Sequence, residues 1–101
     1  MEKRKPHYDL AGVKTVVKRR GADAFTATAL VGAQAMGLDW AQAVSVVCSM
    51  TRTDFFKSMT THASSQIWQD VYHPVTPSGR MAYVKVTLRV DGSTVIQFKE
   101  K

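Results

Sequence analysis

The chain has 101 residues, 45% hydrophobic and 22% charged, with 14 Lys or Arg against 8 Asp or Glu and a formal charge of +6. This is the composition of an ordinary globular protein, long enough for one core without a staple. It excludes a membrane-length apolar run, and Cys48, the only cysteine, excludes an intrachain disulfide or a cysteine-rich zinc site. The opening MEKRKPHYDL has no apolar stretch and does not read as a secretory leader. A single domain over residues 1–101 in a reducing cytoplasm is the expectation, with no membrane partner. Each half of the chain carries seven Lys or Arg against four Asp or Glu, so the positive charge is not segregated. A basic chain suggests a polyanionic partner, nucleic acid before membrane, with solubility alone as the plain alternative.

Residues 1–8 read as a basic arm. Leu10, Val13, Val16 and Val17 then recur at helical spacing, with Asp9 as N-cap, Lys18, Arg19 and Arg20 at the negative end of the helix dipole, and Gly21 as the stop. That basic cluster reads as helix capping in preference to RNA binding. Thr26 caps a second helix over residues 27–36, with Ala29, Leu30, Ala33 and Met36 on one side. Asp39 caps a third over residues 40–50, whose inner stripe is Trp40, Ala43, Val44 and Val47. Cys48 beside that stripe reads as packing, because nothing near it in sequence activates a thiol.

The character changes at Thr51-Arg52-Thr53-Asp54, which has capping-box shape. From Asp54 to Tyr72, DFFKSMTTHASSQIWQDVY, strand formers flank a polar break at residues 63–66, predicting two strands and a turn. Pro74 to Gly79 is a loop. Residues 81–90 alternate, with Ala82, Val84, Val86, Leu88 and Val90 on one face and Tyr83, Lys85, Thr87 and Arg89 on the other. Asp91-Gly92 signals a hairpin, which Ser93 can lengthen, leading to a last strand in which Ile96 and Phe98 oppose Val95, Gln97 and Lys99. The fold class is therefore α+β: N-terminal helices packed on an antiparallel sheet of about four or more strands. The other face of that sheet is polar and basic, carrying Tyr83, Lys85, Arg89, Gln97 and Lys99. Lys57 and Gln69 join it if they point the same way, which their own alternation does not decide. A solvated sheet surface is the plain reading of such a face.

There is no Gly-rich phosphate loop, GxSxG elbow or HExxH, and His7, His62 and His73 show no metal spacing; His62 reads as peripheral. A metal-free route stays open because RNA carries its own nucleophile, the 2′-hydroxyl. Such an enzyme deprotonates it, stabilises the phosphorane and protonates the leaving 5′-oxygen, tasks within the chemistry of clustered Lys, Tyr and Arg. Aromatic side chains add stacking for unpaired bases. Lys57, Tyr83, Lys85 and Lys99 make an RNase chemically possible, though spacing alone does not select it.

MEKRKPH, DFFKSMTTH, IWQDVYHP, YVKVT and the terminal FKEK, spread over the whole chain, resemble the MqsR-type toxins of bacterial toxin–antitoxin pairs. The resemblance implies a RelE-like α+β fold and a ribosome-independent, metal-free mRNA endoribonuclease that needs no cofactor and cuts near G-C-U sequences. It implies inhibition by a cognate MqsA-like antitoxin, with a zinc-binding N-terminal and a DNA-binding C-terminal domain, and hence an indirect association with DNA. The family's active-site positions fall on Lys57, Gln69, Tyr83 and Lys99, with Met59 nearby. On this reading Lys57 and Lys99 hold the scissile phosphate, Tyr83 donates a proton or binds the phosphate, and Gln69 orients it or reads a base edge. Met59, Lys85 and Arg89 extend the RNA-binding surface. Phe56 stands where Tyr is usual, His62 where Tyr is common, and residues 19–35 and 76–80 depart from the pattern. The rival readings are a non-catalytic nucleic-acid-binding regulator using the same face, and an interaction domain recruiting a partner through an exposed sheet edge.

Overall fold

A computed structural model describes residues 1–101. Three helices, α1 (Leu10–Arg20), α2 (Ala27–Ala35) and α3 (Trp40–Cys48), cover one face of a five-stranded antiparallel sheet. The strands β1 (Glu2–Lys3), β2 (Phe55–Thr60), β3 (Trp68–Tyr72), β4 (Ala82–Leu88) and β5 (Thr94–Glu100) lie side by side in chain order.

The helices begin where their caps dictate. The Asp9 carboxylate accepts from Gly12 N at 3.1 Å, and Thr26 Oγ1 accepts from Ala29 N at 3.0 Å. Asp39 and Gln42 close a reciprocal capping box at 2.8 and 2.9 Å. These bonds satisfy amides that the first helical turn leaves without partners. Gly21 ends α1 at φ 60, a conformation disfavoured for side-chain-bearing residues. The core then assembles from Val13 and Val17, Ala29, Ala33 and Met36, Ala43, Val46 and Val47, against Tyr72, Val84, Val86, Ile96 and Phe98 of the sheet.

Several expectations change on contact with the structure. The basic arm is not free: Glu2 and Lys3 pair with Met59 and Ser58 and form the sheet's fifth strand. α3 stops at Cys48, and Trp40, on its first turn, is 58% exposed, its ring lying by Gly21; Val46 takes the inner position instead. β4 stops at Leu88, so Leu88 and Val90 do not extend the buried stripe, and Val90 is fully exposed. Cys48 packs beside the core, and burial pushes its thiol above the ordinary range. One sheet edge, β1, has two residues, and at the other the seven-residue β5 meets the helix layer where Thr26 N donates to Ile96 O at 3.1 Å.

The arm is fastened by Asp70, 1% exposed on β3. Its carboxylate accepts from His7 N (3.0 Å), Tyr8 N (2.9 Å) and Ser58 Oγ (2.6 Å). A buried carboxylate is tolerable only with such donors. Next to it Tyr8 Oη donates to Trp68 O at 2.7 Å, His7 stacks on the Trp68 ring, and Lys3 Nζ lies 4.2 Å from that ring's centre. Burial first, then the Asp70 charge, push the Tyr72 hydroxyl up to about 12.

α2 lies against β5 through Gly32, where a Cβ would fall 2.2 Å from Phe98 O. Helix propensity alone makes Gly32→Ala stabilising by about 1 kcal/mol. The clash with immobile backbone reverses this, and we expect a net loss of roughly 2 kcal/mol. Urea melts of parent and variant check it, and a raised midpoint in the variant would show that α2 does not sit on β5 in this way.

Candidate active site

The second face of the sheet is built by strand pairing. Lys57 is opposite Val71, Val71 opposite Lys85, and Lys85 opposite Gln97, a row crossing four strands. Met59 faces Gln69, and Tyr83 faces Lys99. Lys57 and Gln69 therefore do share the face with Tyr83, Lys85 and Lys99. Val71 has no exposed surface yet lies outside the helix-side core, buried on this polar face with Lys57 and Lys85 on either side. This resolves the mixed alternation of Ile67, Gln69 and Val71: the polar face has its own apolar centre.

A β-bulge adds an aromatic row. Phe55 pairs with Tyr72 but Lys57 pairs with Val71, so Phe56 is the extra residue. A bulge re-aims side chains. Phe55 stays inside, edge-on to Tyr72, while Phe56 turns to stack on His73 at 4.5 Å between ring centres. His73 in turn lies 5.5 Å from the Tyr83 ring. A lysine stands over each end: Lys57 Nζ is 5.5 Å from the Phe56 ring centre and Lys99 Nζ 5.3 Å from that of Tyr83.

The candidate residues divide into groups. Tyr83, Lys85 and Lys99 come together with Gln97 in a groove of about 540 Å³ between the sheet and α2. Gln69 and Arg89 line a second hollow of about 500 Å³ at the other end of the face, with Arg89 just beyond β4 in the hairpin turn. The two hollows share Gln97. Lys57 is not brought to Lys99. Three strand spacings separate them, about 14 Å at the backbone. Its Nζ points to the sheet edge and bonds Glu2 Oε1 at 2.6 Å. That hydrogen bond, then the Lys57 charge, hold the Glu2 carboxyl below the usual range. His62 is exposed in the β2–β3 connection.

Glu2, Phe56, His73 and Gln97 are among the residues of this face that sequence reasoning did not single out as site residues. Gln97 was visible as a face residue by alternation. Glu2 was hidden because a two-residue strand has no period, and His73 because its neighbours depend on the bulge. No group of three or more His, Cys, Asp or Glu stands together anywhere in the chain.

Fold and face define a small α+β protein with a basic, grooved sheet surface that carries aromatic rings. The family model described as "Motility quorum-sensing regulator, toxin of MqsA" matches residues 5–100, and the chain belongs to that MqsR toxin family. It is 41% identical over 101 residues, the whole of both chains, to the mRNA interferase toxin MqsR of Escherichia coli (strain K12).

His73 gives a pH test of this geometry. Its Nε2 is buried without a partner, and burial, then Lys101, hold its pKa below the ordinary 6.5. Above that value both folded and unfolded chains carry neutral imidazole. As pH falls through it, the unfolded chain gains a proton that the folded one resists, and stability drops. We expect His73→Phe, which keeps the ring stack, to lose less melting temperature than the parent between about pH 7.5 and about pH 5. Equal losses would mean that His73 is not held neutral by this packing.

Proposed function

We propose that the protein is an mRNA endoribonuclease toxin that cuts by attack of the substrate's own 2′-hydroxyl, without a divalent metal. The observation that carries this reading is the groove in which Tyr83, Lys85 and Lys99 converge. The likeness to an mRNA interferase toxin along the whole chain supports it. Lys99 and Lys85 supply positive charge where the phosphorane gathers negative charge. A preformed cation there costs no reorganisation as the reaction proceeds. The Tyr83 hydroxyl, on a ring whose centre lies 5.3 Å from the Lys99 ammonium, moves a proton to or from an oxygen of the phosphate. The 2′-oxygen bonds to phosphorus while its proton passes to a phosphate oxygen, the P–O5′ bond breaks as Tyr83 Oη gives its proton to the 5′-oxygen, and Tyr83 recovers a proton from the phosphate. The products are a 2′,3′-cyclic phosphate and a 5′-hydroxyl. DNA, lacking the nucleophile, is not cut.

Gln69 binds the RNA beyond the cut, in the second hollow with Arg89, and Met59 beside it on β2 offers an apolar contact to a base. Lys57 holds a neighbouring phosphate once it releases Glu2, whose carboxylate occupies the same ammonium in the free protein. An exposed ion pair of this kind is weak and gives way readily to a polyanion. Cutting near G-C-U sequences is the preference that the resemblance supplies. The same reading gives the protein a cytoplasmic place beside its mRNA substrate, and no helix is long and apolar enough to cross a membrane. It also gives it an inhibitory antitoxin partner with zinc-binding and DNA-binding domains, through which it associates with DNA indirectly.

Purified protein incubated with a long RNA in chelator should produce these ends. Activity that vanishes with chelator and returns with magnesium would overturn the metal-free step, and RNA binding without turnover would favour a non-catalytic regulator. Lys99→Ala should lower the cleavage rate on the order of 10²–10³-fold, with Lys57→Ala also strongly impaired. Both should melt like the parent, because each side chain sits on the open face. Tyr83→Phe should fall comparably if the hydroxyl moves the proton. A fully active Lys99→Ala variant would remove the groove from the chemistry.

A further inference from the structure

We propose that the groove between α2 and β5 is a nucleobase subsite, holding the base of a nucleotide next to the scissile phosphate against α2 with its edge toward Gln97. The proposal rests on the RNA-cleaving reading above and adds the part of the substrate that this groove recognises.

The groove exists because of how α2 is seated. Gly32 brings the helix backbone against Phe98 O, so α2 stands beside the outermost long strand and rises above the polar face as a wall. Ala29, Ala33 and Met36 turn into the core. Thr28, Val31 and Ala35, at helical spacing on another side, line the groove and are exposed. Val31 is 64% exposed, with lysines rather than a core across from it. An isolated exposed valine needs no explanation. An apolar stripe forming one wall of a hollow whose floor is Tyr83, Lys85, Gln97 and Lys99 does suggest an occupant.

The chemistry of the lining selects that occupant. The groove has no carboxylate to repel a phosphate and two lysines to hold one. Its volume of about 540 Å³ lies in the range of small-ligand pockets, roughly 300–1,000 Å³, and suits a nucleotide. A base has an apolar face for the valine–alanine wall and a hydrogen-bonding edge for an amide. Gln97 offers both a donor and an acceptor, which is what reading a base edge requires. Gln97 also borders the second hollow, so a strand seated in the groove continues past it toward Gln69 and Arg89.

The test uses Val31→Glu, Val31→Ala and Gln97→Ala in the full chain, with melting curves to show that each folds. Cleavage kinetics on a short RNA and end-mapping on a long RNA are read for each. Val31→Glu should raise KM at least about tenfold, because it sets a carboxylate beside the bound phosphate, and Val31→Ala several-fold, because it removes apolar surface that the base covers. Gln97→Ala should still cut but with altered base preference at one position beside the cut. If the variants reproduce the parent's KM and cut sites, the subsite is wrong while the nuclease reading stands. If the parent itself cuts no RNA, the nuclease reading falls and the proposal with it. Loss of antitoxin inhibition in Val31→Glu, with KM for RNA unchanged, would assign the groove to the protein partner and overturn the proposal.

Discussion

A buried carboxylate ties this structure together. Asp70 sits in the middle of β3 with almost no solvent access, and a charge in that position is costly unless donors surround it. Its donors come from the start of the chain and from β2: two consecutive backbone amides, His7 and Tyr8, and the Ser58 hydroxyl. The requirement to satisfy one anion therefore fixes where the arm must pass. Asp9 follows immediately and caps α1, so the same few residues also set where the first helix begins. Upstream of this anchor, β1 is laid along β2, and Glu2 meets Lys57. The basic arm is thus a structural strand whose far end reaches the functional face.

That face is organised by a second local irregularity. The bulge at Phe56 lets two successive residues of β2, Phe56 and Lys57, serve the same side of the sheet, where a regular strand would present one. The aromatic row that results has a lysine at each end, and its far end, Tyr83 and Lys99, opens into the groove beside α2. Charge is concentrated there while carboxylates are kept to the rim. Glu2 lies on the edge strand and already holds a lysine. Arrangement, more than composition, makes the face suited to a polyanion. The net charge is spread evenly along the sequence, and only strand pairing gathers part of it.

Elements with a clean period or a strong cap were legible in the sequence. Asp9, Thr26 and Asp39 marked the helix starts, and alternation in β4 and β5 placed Tyr83, Lys85, Gln97 and Lys99 on one face. The capping box at Thr51 and the hairpin at Asp91-Gly92 were equally readable. What could not be read depended on long-range partners. Asp70 looked like a chemical group in a dense stretch, and only the returning arm shows it to be an anchor. Val71 obscured the face of β3 because its burial comes from neighbours on other strands. Trp40 looked like core by its period but falls on the first turn of α3, beyond the inner stripe. The resemblance put Lys57 and Lys99 together on the scissile phosphate, and the register sets them three strands apart.

The central claim is that Asp70 holds the arm in the sheet and so places Glu2 on Lys57. Hydrogen exchange on Asp70→Asn tests it most directly, because the amide nearly preserves shape while bringing an NH₂ group toward backbone N–H donors. The account predicts that the His7 and Tyr8 amides and those of β1 exchange much faster, while the amides of β4 and β5 keep their protection. Arm amides that exchange as slowly as in the parent would contradict it.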